Sequence, residues 1–201
     1  MTAREAILDA VRAGRRTEPA PPRYALPAWI GDTVSQFAER ARSTAAEVHE
    51  IAEIDDAPEK IWSILAASNA PRSVHIPRNS PVNNLPWQRA PGLTVKSARP
   101  WGSDSAVSFA DYAIAETGTL VFFSAERSAS SWHFLPGWEF VLIRRHLIVP
   151  RFESVIDSLA RLDGMPATVN LVTGPSRTAD IEQTIERGAH GPRELCILIA
   201  G

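Results

Sequence analysis

Phe140-Val141-Leu142-Ile143, Phe152 to Leu162, Val169-Asn170-Leu171-Val172, Thr178 or Ala179 to Arg187, and Leu195 to Ala200 together decide the fold. The runs at 140–143, 169–172 and 195–200 are short and rich in β-branched or aliphatic residues. Runs with little polar alternation fit strands covered on both faces. His146-Leu147-Ile148-Val149 reads as a further strand beyond Arg144-Arg145. Between them, Val155, Ile156 and Leu159 recur at helical spacing. The segment from Thr178 or Ala179 to Arg187 reads as a second helix, closed by Gly188. Strand, helix, strand, helix, strand predicts an α/β domain with a largely parallel sheet flanked by helices.

Working upstream, Thr119-Leu120-Val121-Phe122-Phe123 has the aromatic and β-branched content of a buried strand. Val107-Ser108-Phe109 reads as a strand or a turn. Residues 71–105 hold Pro71, Pro77, Pro81, Pro86, Pro91 and Pro100. That density predicts irregular backbone, with short strands near 73–76 and 93–97. Asp56 or Ala57 to Ala67 is expected as a helix, with Asp56 as cap and Pro58 in the first turn. Glu47 to Ile51 is expected as a strand. Residues 33–46 form a further helix, with Val34, Phe37, Ala38 and Ala41 on one face. Residues 3–13 make a short amphipathic helix, with Ile7, Leu8 and Val11 on one face. Thr2 and Glu5 stand at capping-box spacing. Residues 17–22, Thr-Glu-Pro-Ala-Pro-Pro, then read as a linker. The expected organisation is a helical arm and linker over 1–22, followed by one domain over 23–201. The arm's apolar stripe needs a surface to pack on.

The 201 residues (22.0 kDa) suit one compact domain. A formal net charge of −2 is not that of a nucleic-acid-binding domain, which is markedly basic. The single cysteine, Cys196, cannot form an internal disulfide or hold an iron–sulfur cluster alone. Its apolar neighbours predict a buried small hydrophobe. His49, His75, His133 and His146 show no metal-ligand spacing, so no structural zinc is expected. No apolar run approaches the roughly 20 residues needed to span a bilayer, and the N-terminus lacks a signal-peptide core. The expectation is a soluble cytoplasmic protein.

Two segments carry unusual motifs. The first is Ala113-Ile114-Ala115-Glu116-Thr117-Gly118-Thr119-Leu120-Val121. The second is Thr173-Gly174-Pro175-Ser176-Arg177-Thr178-Ala179-Asp180-Ile181-Glu182, followed by Gly188-Ala189-His190-Gly191-Pro192. Between them, Arg127 precedes Leu135-Pro136. Together these resemble the paired signatures of the LUD-domain family, in its lactate-utilisation protein C branch. The resemblance covers about residues 107–200, and Ala3 to Leu8 also looks like the opening of that branch. It implies a fold similar to sugar-phosphate isomerases and CoA transferases. It also implies iron–sulfur partner subunits in the oxidation of L-lactate to pyruvate. The family establishes no cofactor or catalytic residue for the LUD subunit.

The residues themselves suggest several roles. Gly174 is expected to end a buried strand at the carboxyl edge of the sheet, where α/β proteins bind ligands. N–H groups of the helix expected there, with Ser176, Arg177 and Thr178, suit a small carboxylate or phosphate. Against that, Thr178 can simply cap the helix, while Asp180 and Glu182 favour its dipole with no ligand. The missing Lys excludes a P-loop. Gly118 permits a tight turn beside Thr117. Glu116 is a candidate general base or carboxylate nucleophile, or else an acceptor of loop N–H bonds. His190, between small residues, is a candidate acid or base, and Arg127 a candidate carboxylate clamp. Trp132, Phe134 and Trp138 are expected to pack in the core. No dinucleotide fingerprint or cysteine-bound cofactor is present, so any redox step would use another chain or an unidentified cofactor. Three readings stay open: a non-redox subunit of an L-lactate-oxidising system, a free-standing isomerase- or CoA-transferase-type enzyme, and a non-catalytic scaffold.

Overall fold

The computed structural model describes residues 2–13, 25–78, 80–124, 131–179, 185–187 and 191–201; for 131, 177–179 and 185–187 it describes the backbone alone. The chain divides into two units, Met1–Ile30 and Gly31–Gly201.

The first unit contains helix α1 (Ala3–Ala13). Its start is the expected capping box: the Thr2 N–H donates to Glu5 Oε2 (2.6 Å), and the Glu5 N–H donates to Thr2 Oγ1 (3.3 Å). Ile7, Leu8 and Val11 are exposed.

The second unit is an α/β domain. Its elements are α2 (Thr33–Ser43), β1 (Glu47–Ile51), α3 (Ala57–Ala67), β2 (Ser73–His75), β3 (Thr94–Lys96), β4 (Ser105–Phe109), β5 (Tyr112–Ile114) and β6 (Thr119–Phe123). After these come α4 (Ser131–Phe134), β7 (Trp138–Arg144), β8 (Ile148–Val149), α5 (Phe152–Leu159), β9 (Val169–Val172), β10 (Arg177–Ala179), β11 (Ile185–Arg187) and β12 (Glu194–Ala200). The main sheet has six strands in the order β1-β12-β7-β4-β2-β3, and every pairing is parallel. β12 and β7 are central. Their apolar runs, Leu195 to Ala200 and Phe140 to Ile143, are buried throughout, as a sheet covered on both faces requires.

One face of that sheet packs Val107, Phe140, Leu142, Cys196 and Leu198 against Ile61, Ile64 and Leu65 of α3. Cys196 is buried there as a small hydrophobe. Asp56 does not cap α3 through its side chain; its carboxylate instead accepts the Glu53 N–H (3.1 Å). The four apolar residues expected on one face of α2 are all buried.

Several expectations for the second half are corrected. The chain forms a second sheet, in the order β8-β5-β6-β9, in which β6 pairs antiparallel with both β5 and β9. α5 covers it with Val155 and Leu159, against Ile114 and Val121. Ile156, expected inward, is exposed, and α5 stops at Leu159. β9 is an edge strand with Leu171 half exposed, not a buried strand. The stretch at 146–149 is a 3-10 turn leading into the two-residue β8. A helix was expected from Thr178 or Ala179 to Arg187, but the residues described at its two ends are extended. Arg177 to Ala179 instead pairs antiparallel with Ile185 to Arg187. β-branched Thr178 and Ile185 lose rotamer freedom in a helix and suit extended backbone. The aromatic trio also splits: Trp138 stacks on Phe140 (5.4 Å) in the core, while Phe134 is exposed.

Candidate functional site

α2 packs against β1 of the main sheet and β8 of the second. Its C-terminal turn receives both signature loops. Gly118 has φ 69°, and a Cβ there would lie 2.5 Å from the Ala41 amide nitrogen. Gly174 has φ 74°, and a Cβ there would lie 2.5 Å from the Thr44 carbonyl oxygen. Both glycines therefore allow a loop to touch helix backbone in a left-handed conformation that a side chain would block. The loops are also joined directly. Thr117 Oγ1 and Thr119 Oγ1 share a hydrogen bond (2.7 Å), and Thr119 Oγ1 shares another with Thr173 Oγ1 (2.7 Å). The Ser176 N–H donates to the Pro192 carbonyl (2.8 Å), which ties the two parts of the second signature together.

A cavity of about 510 Å³ opens where these segments meet. Thr44, His133, Phe134, Thr173, Gly174, Ser176 and Gly191 are among its lining residues. It lies beside the segments that enter β1, β7 and β12, at the amino edge of the parallel sheet. That corrects the expected carboxyl edge: the strand preceding Gly174 belongs to the second sheet. The carboxyl edge has a smaller hollow of about 280 Å³, lined by Glu53, Arg144, Arg145 and His146 among others. Its Arg145 is engaged with Glu50 Oε2 (2.6 Å) and the Gly201 carbonyl (2.7 Å).

Behind the larger cavity lies a buried polar chain. His133 Nδ1 is 2.6 Å from Glu139 Oε1, and the same oxygen accepts from Ser108 Oγ (2.8 Å). His133 and Glu139 are 1% and 0% exposed, so the pair is fully desolvated. Phe122 stacks on the imidazole at 3.8 Å and fixes its plane. A buried carboxylate needs a partner of this kind, because leaving it alone would cost several kcal/mol.

Of the residues singled out in the sequence, Gly174 and Ser176 line the cavity. Thr117 reaches it through Thr119 and Thr173, and Gly118 braces the loop on α2. Glu116 is exposed, is not among the cavity's lining residues, and has its N–H bonded to the Pro150 carbonyl (3.1 Å). Arg177 and Thr178 lie in β10, so the donors expected from a helix start there are not those of a helix. Arg127, Asp180 and His190 lie outside the described residues. The sequence reading weighed His133 only as a metal ligand and passed over Glu139 and Ser108. A signal was present: Glu139 interrupts the apolar run from Trp138 to Ile143, and a carboxylate in a central strand must find a partner.

Residues 101–200 match the LUD-domain family model. This half of the chain is a LUD domain. The chain is 35% identical over 101 residues to "Lactate utilization protein C" of Halalkalibacterium halodurans, covering 48% of this chain and 44% of that protein. It is 35% identical over 121 residues to the uncharacterized protein YkgG of Escherichia coli K12, covering 58% and 52%. The chain thus spans about half the length of the curated relatives it matches. The fold is similar to that of a DUF162 family protein from Deinococcus radiodurans in its crystal structure (TM-score 0.63, 20% identity, 87% of this chain and all of that one). Among the described residues, no helix is long and apolar enough to cross a membrane.

Proposed function

We propose that this LUD protein is a non-redox component of an L-lactate-utilising system, acting with iron–sulfur partner subunits in the oxidation of L-lactate to pyruvate. In this reading the cavity at Gly174–Ser176 takes a small carboxylate. The carrying observation is the convergence of both signatures on that cavity through the Thr117–Thr119–Thr173 hydrogen bonds. Hydroxyls from Thr173 and Ser176, an imidazole and the half-exposed Phe134 ring suit a small polar anion with a short apolar body. The likeness to lactate utilization protein C of several bacteria supports the substrate class. The lone buried Cys196 supports placing any iron–sulfur cluster on other chains.

Deletion of the gene tests this reading, in a host without a second lactate dehydrogenase. Growth on L-lactate is expected to cease while growth on pyruvate continues. Undiminished growth on lactate would overturn the reading.

A further inference from the structure

Cys196 has two polar neighbours across the strand pair. β1 runs parallel to β12 with Glu47 opposite Cys196 and His49 opposite Leu198. Residues two apart on a strand share a face, so Glu47, His49 and Cys196 project from one side of the sheet. One carboxylate oxygen of Glu47, one ring nitrogen of His49 and Cys196 Sγ all lie within 4.8 Å of one another. His49 Nε2 and Glu47 Oε1 are 2.6 Å apart, in a pair that is otherwise partly open to solvent. The thiol is buried and, among the described residues, forms no hydrogen bond. In a tetrahedral zinc site, ligand atoms of these three kinds stand roughly 3.4–3.6 Å apart, so displacements of about 1 Å bring this set to that geometry. Glu47, half exposed, and His49, partly exposed, have the freedom to make them. Spacing along the sequence hides the set, because its thiol comes from the last strand and its other two members from the first.

We propose that Glu47, His49 and Cys196 form a mononuclear site for a divalent transition-metal ion, Zn²⁺ by the chemistry of its ligands. Thiolate, imidazole and carboxylate are the three ligand types that zinc takes in proteins, whereas Mg²⁺ and Ca²⁺ take oxygen. Binding sends the thiol proton to solvent and leaves one sulfur, one nitrogen and one oxygen on the ion, with no change of oxidation state. A dication with one thiolate and one carboxylate is neutral as a unit, which lowers the cost of holding it against the buried Cys196. The other charge that acts on this thiol is Lys60 of α3, which is half-buried, and its flexible stem lets the ammonium turn to solvent. The fourth position is left to water on the exposed side. The ion fastens the edge strand β1 to the central strand β12. One thiolate suffices for a single ion though not for an iron–sulfur cluster, so the inference is independent of what the cavity at Gly174–Ser176 binds.

Metal titration of the full chain, first stripped with a chelator, tests it. Zn²⁺ is expected to bind at one ion per chain and to raise the melting temperature, because it binds the folded chain. Co²⁺ in its place is expected to show the near-ultraviolet charge-transfer band of a cobalt–thiolate bond, and Zn²⁺ is expected to bleach that band on displacing it. Glu47→Gln and His49→Asn alter solvent-accessible side chains, so both variants are expected to fold as wild type does. Each is expected to weaken Zn²⁺ binding at least about tenfold, the loss seen even when a residue that only supports a metal ligand is removed. Cys196→Ala is expected to abolish the charge-transfer band. Failure of the wild-type chain to bind Zn²⁺ would overturn the proposal. Zn²⁺ or Co²⁺ binding without the band would overturn it too, since the chain has no other thiol. Affinity unchanged in both Glu47→Gln and His49→Asn would place the ion elsewhere on the surface and overturn it as well. If Cys196→Ala does not fold, the band in the wild-type chain and its weakening in Glu47→Gln and His49→Asn decide the matter.

Discussion

Replacing Gly118 by alanine isolates the contact that brings the first signature onto α2. The cost has two parts. At φ 69° a Cβ is held in the left-handed region, which costs about 1–2 kcal/mol for a non-glycine residue. The same Cβ would lie 2.5 Å from the Ala41 nitrogen and 2.7 Å from the Arg40 carbonyl carbon, both rigid backbone atoms. Relieving such an overlap in packed structure costs typically about 1–3 kcal/mol more. The sum is about 2–5 kcal/mol, or a fall in Tm of roughly 4–20 °C for a domain of this size. Gly102 supplies the control. Its φ is 59°, but a Cβ there would meet nothing within 4 Å. Gly102→Ala should therefore cost only the conformational part, about 1–2 kcal/mol. Urea unfolding of wild type and both variants measures the difference. Equal losses for the two variants would show that the approach of Gly118 to α2 contributes nothing, and the argument for α2 as the brace of the site would fall with it.

Three further outcomes follow from single residues. At the start of α2, hydrogen bonding from the Ser35 side chain, and next from the Ser35 N–H (2.7 Å), holds the Asp32 carboxyl pKa below the ordinary value of about 4. A depressed folded-state pKa gives stability that is present above the unfolded value and lost as pH falls through the folded one. Asp32→Ala should lower Tm at neutral pH, with the difference from wild type shrinking in acid below about pH 4; a pH-independent difference in thermal melts would contradict the cap. Burial pushes the Cys196 thiol pKa well up, so a disulfide reagent should label it only after denaturant unfolds the chain, and rapid labelling of native protein would show that β12 is not central. Glu116→Gln should leave stability within about 0.5 kcal/mol, because the side chain is exposed, so any loss of lactate complementation by this variant would report chemistry at Glu116 rather than unfolding.

The parallel sheet was legible because its strands are written in composition. A run such as Leu195 to Ile199 has no polar face to show to water, so it must lie between two layers. The helices α2 and α3 were legible for the complementary reason, an apolar stripe at helical spacing over an otherwise polar surface. The second sheet was not legible. β5, β8 and β9 have two to four residues each, and nothing local distinguishes an antiparallel partner from a parallel one. The stretch from Thr178 or Ala179 to Arg187 was misread because its polar and apolar residues also satisfy helical spacing, and nothing in that spacing reveals that 177–179 pair with 185–187.

The site divides along the same line. Gly118, Gly174 and Ser176 stood out by their motifs, and the structure assigns the two glycines a mechanical role: each removes a side chain that would hold a loop away from α2. With both loops drawn onto the same helical turn, Thr119 lies close enough to bond Thr117 and Thr173 together. The groups with chemical potential, His133 and Glu139, lie six residues apart in a stretch where only the aromatics draw attention. They meet because α4 leads directly into β7 and because β4 places Ser108 beside them. An unusual motif thus marks where backbone must approach backbone. A buried charge in an apolar strand marks where a partner must be found. In this fold the two requirements converge on one cavity, since the segments that the glycines bring together form its wall and the buried Glu139–His133 hydrogen bond lies behind it.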